Sequence, residues 1–229
     1  HRYLIAVATV AILSNWVITN GENLLFRVVQ EGLRHEVATL RIAEGAATRQ
    51  FVREATTAFY GNYFFWVNLC ALLAQALLAS RLLHYGGVAA VLMLLPVISL
   101  VSYSTMALLP LLAVVRVMKI AENATNYSID NTARQVIWLP TTAEMKYWTK
   151  PAIDALFVRL GDGMAALTVL VGFTMLELSD QNLFLVNVAL VGSWLVAALV
   201  IVREDQRWTQ QGPPGVDPYR RDPFDQLDP

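Results

Sequence analysis

Arg116, Lys119, Asn123, Asn126, Asp130 and Arg134 follow one another at intervals of three or four residues. On a helix that spacing places them on one face. The face starts inside the apolar run Met106 to Val115 and gathers charge as it leaves it. Arginine grips an oxyanion through parallel N–H donors, and lysine acts as a point charge. Arg116 and Lys119 therefore offer two positive charges to one side, and Asn123 and Asn126 add amide groups along it. The chemistry these types can do is recognition of an anion. Charge at bilayer depth is costly and calls for a counter-charge on another helix, a water-filled cavity or a ligand. Counter-charges are available. Lys119 has Glu122 and Asn123 as neighbours on its own helix, Arg116 has Glu22 as a candidate partner, and Asp154 has Arg159 or Arg134.

The elements that must hold this face are set by composition. The 229 residues are 56% hydrophobic and 15% charged, where soluble domains sit near a quarter charged. That balance predicts an all-α, polytopic membrane protein. A net charge of −1 lacks the basic face that nucleic-acid binding needs. Cys70 is the single cysteine and lies in an apolar run, so no disulfide framework or cysteine metal site is expected. The histidines at 1, 35 and 84 have no metal-ligand spacing, and no P-loop is present. Gly161-Asp162-Gly163 reads as a turn at a helix entry. No catalytic residue, metal or cofactor is expected, and the chain does not read as an enzyme. The sequons at Asn123 and Asn126 fall in or at the end of a span, which argues against glycosylation.

Six spans are predicted, over about 3–29, 57–80, 88–108, 110–132, 152–178 and 183–202, making one transmembrane unit over 1–204. The first passes through Thr19-Asn20-Gly21-Glu22-Asn23, with Gly21 as a weak point and Arg27 beyond it. Gln30 to Glu54 reads as an external loop with a short surface helix. Phe59, Tyr60, Tyr63, Phe64, Phe65 and Trp66 suit an interfacial aromatic belt or plain packing. A stacking platform for a base is the alternative. Gly86-Gly87 breaks the chain, Pro96 bends the third span and Pro110 opens the fourth. Ala133 to Gly161 reads as a polar connection, with Pro151 at the first turn of the next helix. The segment 205–229, rich in Pro, Gly and Asp towards its end, reads as a disordered cytoplasmic tail. Six spans put ten Lys and Arg on the side of the two ends, and four on the other side, where acids match them. Basic residues favour the cytoplasm, so both ends are expected there. The start at His1 reads as a piece of a longer chain or a processed product.

From Lys119 onwards several spaced motifs agree in order: Lys119-x-x-Glu122-Asn123-x-x-Asn126-Tyr127-Ser128, Asn131-Thr132-x-Arg134, Leu139-Pro140-Thr141, Lys146-Tyr147-x-x-Lys150, Ala152-Ile153-Asp154 and Arg159-x-Gly161-Asp162. With Asn15-Trp16-Val17 and Gly21-Glu22 in the first span, they make the chain resemble the non-mitochondrial ATP/ADP translocases of plastids and intracellular bacteria, most of all the bacterial members. The resemblance implies a twelve-span, major-facilitator-type carrier of which this chain is the C-terminal six-helix half, with an N-terminal half as partner. It implies exchange of ATP for ADP across a bacterial inner membrane. Substrate contact would fall to Arg116, Lys119, Asn123, Asn126, Glu22 and Arg27, and a gate or latch to Lys150, Asp154, Arg159 and Arg134. The plastid-type pattern has a Lys where this chain has Asp162, and a Glu near the position of Arg134. Two other readings stand beside exchange of nucleotides: transport of another organic anion on the same fold, and a membrane nucleotide sensor or scaffold that moves nothing.

Overall fold

The computed structural model describes residues 2–39, 45–138, 141 and 143–211. These residues are helical apart from short connections, and none of them lies in a strand. Helix α1 spans Arg2–Thr39. Helix α2, Ala46–Ala74, passes through a π-helical turn, Gln75–Ala79, into α3, Ser80–Leu108. Helix α4 spans Leu112–Thr125 and continues through the π turn Asn126–Asp130 into α5, Asn131–Val136. Helix α6, Ala143–Ala152, is joined by Ile153–Phe157 to α7, Val158–Leu170, which ends in a further π turn, Val171–Met175. Helix α8 spans Asp180–Gln211.

The stretch Thr48–Leu108 is long and apolar enough to cross a membrane, but at 61 residues a straight helix would run to about 90 Å. It does not run straight. Gly87 has φ 63 and ψ −164, a backbone state open to glycine and strained for other residues, and the chain turns back there. Before the turn, Asn62 meets Arg116 and Tyr63 meets Asn123, so α2 runs parallel to α4. After it, Ser99 and Tyr103 both meet Glu122, with the earlier Leu92 beside the later Ala133, so α3 runs antiparallel to α4. On α1, Arg27 meets Asp180 and Asn20 meets Asn187, which makes α1 and α8 antiparallel. Helix α1 is the axis of the assembly, packed on α8, α7, α2 and α4.

Apolar side chains line both the inside and the outside. Val17, Leu24, Leu95, Met106, Leu183 and Trp194 belong to one core cluster, and Tyr3, Val91, Ile129, Trp138 and Ile201 to a second. Phe65, Leu72, Leu77, Leu108, Leu167 and Val196 are exposed, while Lys119 and Glu122 are completely buried. A soluble protein hides its large hydrophobes and shows its charges. The reverse arrangement, with four stretches long and apolar enough to span a bilayer, is compatible with an integral membrane protein. The stretch from α4 to α5 is outside those four, and it carries Arg116, Lys119, Glu122, Asp130 and Arg134.

Several sequence expectations change in detail. Helix α1 passes unbroken through Gly21 and on to Thr39, so most of the external loop expected over 30–54 is helix, at 30–39 in α1 and 46–54 in α2, and residues 40–44 of it lie outside the described residues. The polar connection expected over 133–161 is mostly helix, with Pro151 at the end of α6 rather than in its first turn. Gly161 and Gly163 lie inside α7, not in a turn. Gly161 is there for closeness: a Cβ on it would stand 2.6 Å from the Ile12 carbonyl oxygen of α1. Residues 205–211 continue α8 rather than starting a tail, and 212–229 lie outside the described residues.

Candidate functional site

The inward face of α4 carries the site. Lys119 Nζ lies 2.5 Å from Glu122 Oε2 and 3.2 Å from Glu22 Oε1. The pair with Glu122 follows from i, i+3 spacing on one helix. The contact with Glu22 depends on how closely α1 crosses α4, and Gly21 permits that approach. A Cβ at Gly21 would overlap Tyr103 Oη and stand 2.9 Å from Lys119 Nζ.

Each carboxylate has further donors. Ser99 Oγ donates to Glu122 Oε1 at 3.0 Å. Tyr103 Oη lies 3.0 Å from Glu122 Oε2 and 3.2 Å from the Val17 carbonyl oxygen. It has one proton to give, and the carboxylate is the stronger acceptor. Asn123 Nδ2 donates to Glu22 Oε1 and to Tyr63 Oη, both at 2.7 Å. Tyr63 in turn donates to the Lys119 carbonyl at 3.4 Å. Beside this network Asn20 Nδ2 donates to Asn187 Oδ1 at 2.6 Å, and Asn187 Nδ2 to the Val17 carbonyl at 3.4 Å. Lys119, Glu122, Tyr63, Tyr103, Ser99, Asn20 and Asn187 are at or within 1% of complete burial. Glu22 is different, with 35% of its side chain exposed.

Of the residues expected to touch substrate, Lys119, Asn123 and Glu22 come together in this network. Arg116 is close in sequence but does not pair with Glu22. It donates to Asn62 Oδ1 and lies 5.6 Å from the centroid of the Phe59 ring. Asn126 is half-buried and opens the π turn after α4. Arg27 is elsewhere. Its guanidinium stacks on Phe173 at 3.7 Å and pairs with Asp180 at 2.7 Å and Glu31 at 3.3 Å, which ties α1 to the end of α7 and the start of α8. The expected gate residues also find partners other than those anticipated. Arg134 pairs with Asp130 at 2.8 Å and Arg159 with Asp162 at 3.4 Å, so neither is spent on Asp154. Thr19 Oγ1 donates to Asp162 at 2.8 Å, and Lys150 Nζ to Gln135 Oε1 at 3.0 Å. Asp130, Arg134 and Asp154 do share one cleft, walled by Val7, Leu92, Ile137, Trp138 and Ile153.

Sequence reasoning did not place Tyr103, Ser99, Tyr63 and Asn187 in the site. Glu122 was expected as a neighbour of Lys119 on its own helix, not as a site residue, and the pair is there. Asn187 carried a weak signal, a lone amide in an apolar run. Tyr63 was absorbed into an aromatic cluster, although its phenol end faces the polar network.

What fold and site define is an all-helical bundle with an apolar exterior and a charged cluster inside. Set against family models, curated proteins and solved structures, the chain matches none of them.

Proposed function

We propose that this chain is the C-terminal six-helix half of an alternating-access membrane carrier whose cargo is a nucleotide of the ATP/ADP type. The observation that carries the proposal is the cluster of Lys119, Glu22, Glu122 and Asn123, a set of charges and amides held inside a largely apolar bundle. Ionisable groups in that setting mark substrate and ion pathways, and carriers built from two repeats keep their site between them near the midplane. The reversals at Gly87 and between α3 and α4, and the antiparallel course of α1 and α8, fit a six-helix half. The resemblance running from Lys119 to Asp162 supplies the cargo class.

In this reading Arg116 meets the phosphates, Lys119 and Asn123 form the inner wall, and Glu22, the partly exposed member, stands at the outer edge of the cluster. Arg27, with its stack on Phe173 and its two acids, serves as a latch. Lys150, Arg134 and Arg159 hold the opposite end, and Asp154 lines the cleft there. The test is exchange of labelled ATP for ADP in liposomes by the complete carrier, with Arg116→Ala as the variant. Arg116 is half-buried and its loss leaves no buried charge unpaired, so a fall in exchange reads on cargo and not on folding. Exchange untouched by Arg116→Ala removes it from the path.

One observation favours a second reading, a less charged organic anion as cargo. A nucleoside triphosphate brings about four negative charges, while Lys119 is already committed to two carboxylates. Competition by a panel of mono-, di- and polyanions separates the two. Binding of nucleotide without transport would favour a sensor or scaffold.

A further inference from the structure

Two donors converge on one oxygen in the cluster. Lys119 Nζ and Asn123 Nδ2 stand 3.2 Å and 2.7 Å from Glu22 Oε1. Both donor residues are buried, Lys119 completely and Asn123 to within 2%. Tyr63 fixes the amide of Asn123 from α2, and the missing side chain of Gly21 lets α1 come this close. The position of that oxygen is therefore a built seat for an anionic oxygen, and the protein fills it with its own carboxylate.

The two carboxylates are not equivalent. Glu122 stands closer to the ammonium, at 2.5 Å, and also has Ser99 and Tyr103 on its oxygens. With Lys119 it makes a neutral pair whose side chains are both fully buried. Glu22 is the surplus charge, and it is the member that reaches the accessible side. A surplus charge at the edge of a neutral buried pair is the part of the network that can leave at the lowest cost, because leaving gives it water and strips no counter-charge from Glu122.

We propose that Glu22 is an internal counter-ion that plugs an oxyanion seat, and that one anionic oxygen of the cargo, phosphoryl or carboxylate, takes its place against Lys119 and Asn123. The proposal rests on the reading of the cargo as an anion, and it assigns Glu22 the role of competitor where a direct ligand was expected. Arg116, three residues before Lys119 and about one helical turn away, is placed to take further oxygens of the same group.

The test is calorimetric titration of the purified full chain in detergent with inorganic pyrophosphate and, separately, with succinate. Wild type binds weakly because the seat is filled. If Glu22 occupies it nine-tenths of the time or more, Glu22→Ala, which empties the seat, gains roughly tenfold or more in affinity, and Glu22→Gln, whose neutral amide oxygen holds the two donors less tightly, gains a smaller factor. The gain disappears in Glu22→Ala combined with Asn123→Ala, which takes away one of the two donors. Unchanged or weaker binding in both Glu22 variants overturns the proposal. A gain for pyrophosphate supports a phosphoryl occupant. A gain for succinate alone supports the seat and assigns it to a carboxylate. Failure of the inference is distinct from failure of the carrier reading. ATP/ADP exchange by the complete carrier, with no gain in the Glu22 variants, sinks the plug and leaves the transporter. A gain without exchange does the opposite.

Discussion

Lys119 is the residue whose replacement should cost most, and the cost can be apportioned. It is completely buried between two acids. Lys119→Met keeps most of the volume and removes the charge, leaving Glu122 with no cation and no water. Removing one partner of a buried pair costs about 3–5 kcal/mol, most of it the uncompensated charge left behind. Glu122→Gln should be milder, because Lys119 keeps Glu22 as its partner and the cluster goes from one net negative charge to neutral. Its cost is the weakening of charge-assisted hydrogen bonds, about 1–3 kcal/mol. The double variant Lys119→Met/Glu122→Gln leaves Glu22 alone, but Glu22 is partly exposed and can hydrate. Its loss of stability should fall well short of the summed single losses, with a coupling energy of about 2–3 kcal/mol. Thermal unfolding of the three proteins in one detergent, followed by intrinsic fluorescence, measures the order. The reasoning is refuted if Lys119→Met lies within about 1 kcal/mol of wild type, or if the two single losses add in the double variant.

Three further outcomes follow from packing and topology. Gly21→Ala puts a methyl into Tyr103 Oη and 2.9 Å from Lys119 Nζ. Overpacking of this kind costs about 1–3 kcal/mol, and a melting point equal to wild type would show that α1 and α4 do not cross so closely. Asn187→Leu strips the acceptor from Asn20, a fully buried amide, and should cost about 1–3 kcal/mol. Asn20→Leu/Asn187→Leu together should recover part of that loss, and no recovery would argue against a direct pair. Reporter fusions at Arg41 and after Pro229 should fall on opposite sides of the membrane if six spans are crossed, and the same side for both would rule out that count.

The fold was legible where local chemistry alone decides it. A 56% hydrophobic chain announced long apolar helices, and Gly86-Gly87 announced a break, found at Gly87. Boundaries were less legible, because charge was read as loop. Glu31, Arg34, Glu36 and Lys150 lie on helices that run past the apolar stretches, and polar residues at i, i+4 spacing support a helix as well as a loop. The site was half legible for the same reason. The periodicity of α4 put Lys119 and Asn123 on one face. It could not say which neighbour that face meets, since Glu22, Ser99, Tyr103 and Tyr63 come from three other helices. Arg27 shows the limit most clearly. It lies five residues from Glu22 in sequence, and that separation turns it towards Asp180 and Phe173.

In the carrier reading, the distribution of charge constrains how this chain could serve a polyphosphate. Within the cluster one ammonium faces two carboxylates, so its sum is negative with Glu22 seated and zero once Glu22 has swung out to water. Adding Arg116 raises the inner surface to a single positive charge. An anion with three or four charges therefore needs most of its compensation from outside this surface, and a second helical half is the source the carrier reading provides. That half should then carry at least two lysines or arginines at bilayer depth, facing Glu22 and Arg116. If its spans prove free of such cations, the arithmetic favours a mono- or dianion. The seat at Glu22 would still hold one oxygen of it, and the nucleotide reading would have lost its electrostatic basis.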